Sequence, residues 1–218
     1  WAGETILFDN EDVLHAELPK YNKSLVFPSN IWHCARGVSR VCSDLRMTLM
    51  YKMSEKGSDI YRDNVQRLLR DLKADELRHR GRTLTEHLLN TYDILFNKNL
   101  PPEVCMAGGT HSVFGTSVFK ESCLTHNDIG RLALSTNIEA ANLSFLFSKI
   151  ARPDCLERNI NNFNGKLETT DGNAIEVTEQ QFTALCQIEA ANLLEQGNNL
   201  ETFPNLLKFW GETKGYRD

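Results

Sequence analysis

LRHRGRTLTEHLLNTYDILFNKNLPPEVCMAGGTHSVFGT, residues 77–116, decides how this chain is read. Leu84, Leu88, Tyr92 and Leu95 recur at steps of four, four and three, the spacing of a helix with one buried face. Pro101-Pro102 opens a second helix, running through Val104 toward His111. Gly81 marks a turn after His79, and Gly108-Gly109 lets the backbone approach a neighbour closely just before His111-Ser112. His87 shares its face with Leu84, Leu88 and Thr91, so its ring points inward. Three histidines, His79, His87 and His111, therefore come from helix ends and inner faces, 8 and 24 residues apart. Such a set suits a first-row metal or a polar substrate.

Helical spacing continues on both sides. Residues 60–79 place Val65, Leu68, Leu69 and Leu72 on one face, and residues 127–150 hold one or two further helices. Residues 166–178 (KLETTDGNAIEVT) put Asp-Gly between β-prone runs and read as a small hairpin. Thr178 with Gln181 forms a capping-box start for a helix over 179–196, which stops at Gly197. A last short helix spans 204–212. The hexapeptide at 138–143 (IEAANL) recurs at 188–193, a match that small residues at helix crossings explain as well as duplication does.

Before residue 55 the period changes. Short β-prone runs at 5–8, 13–16, 24–27 and 46–53 are separated by turn clusters, and residues 54–58 (SEKGS) form a polar linker. The expected division is a β-segment over 1–53, a linker over 54–58 and a helical domain over 59–218.

The 218 residues carry a net charge of −5, with 41% apolar and 24% charged residues. No run approaches the roughly 20 apolar residues of a membrane span. The basic residues between Arg62 and Arg82 are interleaved with Asp63, Asp71, Asp75 and Glu76, which reads as a solvated face rather than a nucleic-acid surface. Six cysteines without a CxxC read as reduced thiols in a cytoplasmic setting. The chain opens on Trp1, which raises the expectation of a segment upstream.

GETILF (residues 3–8), LPKYNKSLVFPSNIWHCARGV (18–38) and LRMTLMYKM (45–53) together resemble the C-terminal half of the double-stranded β-helix of iron(II)/2-oxoglutarate oxygenases, in their prolyl-hydroxylase-like branch. The resemblance implies that His33 ligates iron and that Arg46 grips the distal carboxylate of 2-oxoglutarate, with Arg40 a weaker candidate. Imidazole suits iron(II), and a planar guanidinium matches a carboxylate. The family's His-x-Asp/Glu pair stands upstream of the GET strand. Here that pattern occurs only at His15-Ala16-Glu17 and at His126-Asn127-Asp128, neither in the family's place.

Residues 60–215 resemble an HD-like helical family with the phrases GRTLLEHL, AGLFHSIYGT and EIEAANLLEQG, the last nearly verbatim at 187–197. The likeness implies metal-binding roles for His87, as the first motif histidine, and for His111 at the "LHD" step. Ser112 stands where such proteins carry a metal-binding Asp, and Glu189 or Asn192 is the candidate for the late carboxylate position.

The expected fold class is thus α+β: a partial double-stranded β-helix (jelly-roll) segment followed by an all-α HD-like domain with one small hairpin. The expected function is a metal-dependent enzyme acting by oxidation or hydrolysis on a small anionic metabolite. His87, His111 and Glu189 are its candidate catalytic groups, and His33, His79, His87 and His111 its candidate metal ligands. The expected cofactors are iron(II) or another first-row divalent metal, and 2-oxoglutarate with Arg46 if the upstream half is present. Arg82 and Lys120 are candidate anion binders. Neither nucleic acid nor membrane is an expected partner, whereas an upstream segment or a partner chain would complete the β-fold. Two alternatives stand beside this reading. One is a degenerate HD-like nucleotide- or metabolite-binding module without turnover; the other is an interaction role in which the β-segment covers a partner.

Overall fold

The computed structural model describes residues 4–9, 12–18, 20, 25, 27, 32–35, 59–79, 81–197 and 200–215. The candidate strand at 46–53 with Arg46, the candidate Arg40, and the linker at 54–58 lie outside the described residues. By internal contact the chain forms two units, Trp1–Gly57 and Ser58–Asp218. The described architecture is mixed: mostly helical, with small antiparallel sheets.

In the first unit, β1 (Thr5–Asp9) pairs antiparallel with β2 (Asp12–Glu17) on one side and β3 (Trp32–Ala35) on the other, in the order β2-β1-β3. Leu7, which is buried, stands opposite His15 on one flank and His33 on the other. The pairing of β1 with β3 passes over the stretch between β2 and β3, so the sheet is not a simple meander.

The second unit packs its helices around a single apolar core. Helix α1 (Ile60–Asp71) starts at Asp59, whose carboxylate accepts from the Tyr61 and Arg62 amides. Val65, Leu68 and Leu69 form its buried face. The sequence spacing suggests a helix running to residue 79, but the helix ends at Asp71. Lys73 takes a left-handed backbone (φ 54°), followed by a 3-10 turn at Ala74–Glu76. The chain then forms a two-residue hairpin, β4 (Arg78–His79) against β5 (Arg82–Thr83), around Gly81 at φ 88°. His79 therefore sits on a strand and not at a helix end, and the helical unit carries two hairpins where the sequence suggests one.

Helix α2 (Leu84–Asn97) begins with a capping box: the Thr83 hydroxyl accepts from the Glu86 amide, and the Glu86 carboxylate accepts from the Thr83 amide. Two contacts tie α1 to α2. Tyr92 donates its hydroxyl to Asp59 at 2.6 Å, and Arg62 forks onto Asp93 at 2.6 and 2.8 Å. Helix α3 (Pro102–Gly108) opens on the prolines and stops at the glycine pair. A Cβ on Gly109 would lie 2.9 Å from Val65 and 3.2 Å from Tyr92, so the close approach read from the two glycines is real.

Helices α4 (Ile129–Ser135) and α5 (Ile138–Lys149) follow, then α6 (Asp154–Asn159), which the sequence reading does not contain. The Asp-Gly hairpin is present as β6 (Lys166–Glu168) and β7 (Ala174–Glu176). Helix α7 (Glu179–Glu195) begins at the Thr178–Gln181 capping box, and its buried middle touches α2, α3 and α5. Helix α8 (Pro204–Glu212) closes the unit. Among the described residues no helix is long and apolar enough to cross a membrane. Cys105, Cys155 and Cys186 are buried free thiols, and burial pushes Cys105 and Cys155 up to about 12, which makes them packing groups and not nucleophiles.

Candidate functional site

Two histidines meet at the centre of the helical unit. His87 projects from the buried face of α2, and His111 follows the glycine pair that ends α3; both are fully buried. Their Nε2 atoms face each other at 3.2 Å, with the rings nearly perpendicular. Each ring is anchored through its other nitrogen. His111 Nδ1 lies 2.6 Å from the Gly108 carbonyl oxygen, and His87 Nδ1 lies 2.5 Å from Glu195 Oε2.

Hydrogen-bond accounting assigns both tautomers. A carbonyl oxygen and a carboxylate only accept, so both Nδ1 atoms carry the proton and donate. In the neutral rings both Nε2 atoms are then bare lone pairs, aimed at one another. Two lone pairs do not bond, and a positive centre between them, a metal ion or a proton, would satisfy both. Burial is the first reason why His111 is held well below the usual histidine range, with His87 the next.

Glu195, at the end of α7, is the anchor of His87. It also takes an ion pair from Arg82 at 2.6 Å and a hydrogen bond from Asn90 at 3.2 Å. Burial works to raise its carboxyl, but His87, Asn90 and Arg82 outweigh this and hold it below the usual range. Arg82 donates as well to the Glu195 backbone oxygen at 2.9 Å, so its guanidinium is committed to the end of α7. Lys120 is exposed in the loop after α3.

His79 reaches the same centre in a different posture. Its ring stacks on that of His87, centroids 4.2 Å apart and planes 16° from parallel. Lone pairs lie in the plane of a ring, so two parallel stacked rings do not aim at a common point. Among the described residues no three His, Cys, Asp or Glu side chains are placed to hold a metal ion together. Ser112 is buried beside His111, and Phe147 meets the His111 ring edge to face at 5.1 Å.

Glu189 is fully buried on α7 but does not reach the histidine pair. Both of its oxygens accept from Arg152 Nη1, at 3.0 and 2.9 Å. Arg152 Nη2 donates to Thr116 Oγ1 at 3.1 Å, and the guanidinium lies over the Phe147 ring at 4.6 Å. Burial pushes the Glu189 carboxyl up while Arg152 pulls against it. Asn192 is buried one turn on, where its Oδ1 accepts from Gln196 at 2.8 Å.

In the β-unit His33 is exposed, and the Phe27 ring meets it at 4.8 Å. His15 and Glu17 share a hydrogen bond at 3.2 Å on β2, on the other flank of β1 from His33. Adjacent strands lie about 4.8 Å apart, so roughly twice that separates the backbones of β2 and β3. Among the described residues no group of three His, Cys, Asp or Glu side chains gathers at His33, and the candidate co-substrate residue Arg46 lies outside them.

Two site residues escape the sequence reading, Glu195 and Arg152. For Glu195 a signal exists: it lies in the near-verbatim phrase at 187–197, where the eye settles on Glu189 instead. Arg152 has no such signal, because a single arginine before a proline between helices looks like any loop cation.

The site thus belongs to a mostly helical unit built around an inward-facing histidine pair. Residues 68–152, less than half of the chain, match the model of a family described as a domain of unknown function, DUF6817. The match spans His79, His87, His111 and Arg152 and ends before Glu189 and Glu195. No curated protein and no solved structure matches the chain.

Proposed function

We propose that the helical unit is an HD-like, metal-dependent enzyme domain that acts by oxidation or hydrolysis on a small metabolite. The observation that carries this is the pair of bare Nε2 atoms facing each other across 3.2 Å, with both Nδ1 protons committed elsewhere. Two imidazole nitrogens on one first-row ion, each at about 2.0–2.1 Å, stand roughly 2.9–3.4 Å apart. A carboxylate behind one histidine and a backbone carbonyl behind the other are the usual supports of metal-bound imidazoles. His87 and His111 would therefore hold the metal. Bound there, it would supply Lewis acidity and a lowered pKa for a bound water. Glu195 fixes the His87 tautomer, Arg82 steadies Glu195, and Phe147 with the surrounding core keeps bulk water from the rings.

The β-unit is proposed to be part of an iron(II)/2-oxoglutarate oxygenase-like fold. In support, its third described strand pairs with the first and not with the second, a non-meander order compatible with a jelly-roll sheet. The ligand role of His33 and the co-substrate role of Arg46 rest on the sequence resemblance alone.

A second reading has its own support. The stacking of His79 and the lack of a third convergent ligand among the described residues favour a module that binds without turnover, with a proton on His87 bridging to His111. Elemental analysis of the purified full chain, after incubation with iron(II), manganese(II) and zinc(II) and removal of the excess, separates the two. The enzyme reading expects about one equivalent of one of these metals, lost in His87→Ala and His111→Ala. Uptake below about 0.2 equivalents of every metal overturns it in favour of the proton-bridged module.

A further inference from the structure

A cavity of about 330 Å³ shares a wall with the histidine pair, and its lining includes His79, Phe119, Arg152, Glu189, Gln196 and Phe203. The shared wall is His79, stacked on His87 on one side and edge-to-face with Phe119 at 5.2 Å on the other. This volume is at the small end of those that hold small molecules.

Arg152 is the group that singles this cavity out. Its side chain is 5% exposed; Nη1 is spent on Glu189 and Nη2 on Thr116, while Nε is buried and meets no acceptor among the described residues. A buried N–H without an acceptor is costly and uncommon, and a ligand oxygen would satisfy it once the guanidinium turns toward the cavity it lines. The charge of the guanidinium is already balanced by Glu189. Among the described residues lining the cavity Arg152 is the only Arg or Lys, and Arg82, partly exposed and outside that lining, is held by Glu195. An anion entering here would add an unbalanced negative charge beside a buried carboxylate. The rest of the wall mixes apolar and aromatic side chains, Phe119, Leu193 and Phe203 among them, with the polar Gln196 and Thr202.

We propose that this cavity binds a small, uncharged molecule that presents a carbonyl or hydroxyl oxygen to Arg152 Nε and packs a flat or apolar body against Phe119 and Phe203. That such a molecule is the substrate of the histidine centre rests on the function proposed above; its binding does not. An uncharged ligand here differs from the anionic substrate that the sequence suggests.

Titration calorimetry on the full chain tests this, with benzamide and benzyl alcohol as probes and benzoate as the charged counterpart, in metal-loaded and in chelated protein. At least one uncharged probe is expected to bind in both states, with benzoate about tenfold weaker or worse. Arg152→Lys is expected to weaken binding about tenfold. Because that change also disturbs the Glu189 pair, Val118→Trp serves as the second variant: Val118 is exposed on the cavity rim, and the indole should abolish binding with the ion pair intact. Failure of both uncharged probes in both states, benzoate binding as tightly as benzamide, or undiminished binding in Val118→Trp would each overturn the proposal. Binding of an uncharged probe to a protein that takes up no metal would instead keep the pocket and discard the metal-dependent enzyme.

Discussion

Glu189 and Glu195 stand six positions apart on α7, about 9 Å along its axis, and the side chains of both are almost wholly removed from solvent. Glu189 meets a permanent cation, Arg152, and the two close on each other, with Thr116 and the Phe147 ring completing the arginine's surroundings. Glu195 meets Arg82 as well, but its second oxygen goes to His87, whose other nitrogen faces His111. One carboxylate is thus buried structure that happens to wall a cavity. The other transmits its charge, through one imidazole, to the point where the two Nε2 atoms meet and a cation is proposed. The lesson is that burial and charge alone do not distinguish the two carboxylates; what differs is whether the partner's second face meets the cavity or the other histidine.

Removal of Arg152 has the largest expected effect. Arg152→Ala leaves Glu189 buried without its cation, and chemical denaturation should register a loss of about 3–5 kcal/mol, while the apolar pair Arg152→Met with Glu189→Leu should recover most of it. A loss below about 1 kcal/mol for Arg152→Ala would mean that water reaches Glu189 and that the contrast with Glu195 is not one of burial.

The next test acts on the other end. Glu195→Gln keeps the shape of the side chain but removes the acceptor charge behind His87, and should weaken metal binding, read by competition with a chromogenic chelator, by about 10- to 100-fold. Glu189→Gln should change the same affinity by less than about threefold, since its oxygens accept from Arg152 and not from either ring. Equal effects would erase the distinction.

A smaller effect sharpens the geometry behind it. The two Nε2 atoms meet because α3 ends hard against α1 and α2, so Gly109→Ala, pressing on Val65 and Tyr92, should destabilise the fold by about 1–2 kcal/mol in a urea titration. No change in stability would show that α3 has room to shift and that the 3.2 Å approach is not fixed by packing.

The smallest effect concerns the start of α2, which carries His87. The amide and hydroxyl hydrogen bonds from Thr83 hold Glu86 below the usual carboxylate range. With the folded value lowered, the contribution of Glu86 is complete above the unfolded carboxylate range and is lost as pH falls through the folded value. Corrected for intrinsic rates, amide exchange in the first turn of α2 should therefore quicken below a pH of about 4, and Glu86→Ala should remove that dependence. His111, held through Gly108 on α3, should not share it.

Much of the helical unit was legible because its signals are local. The apolar steps from Leu84 to Leu95, the Pro-Pro and Gly-Gly brackets of α3, the Asp-Gly hairpin and the Thr178 capping box each act within a few residues, and each stands where the sequence places it. The exceptions are equally local: Lys73 turns left-handed and converts the end of the expected first helix into a hairpin, which moves His79 onto a strand. α6 is too short to leave a periodic trace. The inward direction of His87 was readable from its face. What His79, Glu189 and Arg152 touch was not, since each contact joins elements tens of residues apart.

The sequence by itself determined that the chain divides into a β-prone and a helical part, and that histidines sit at buried positions of the latter, because periodicity and turn chemistry are properties of short windows. Packing between distant elements settles which nitrogen of each histidine is spent, which of two glutamates on α7 stands behind His87, and that a guanidinium with one unpartnered N–H lines a cavity beside them. Those are outcomes of long-range packing, in which a side chain's partner is set by which helices cross and not by its neighbours along the chain.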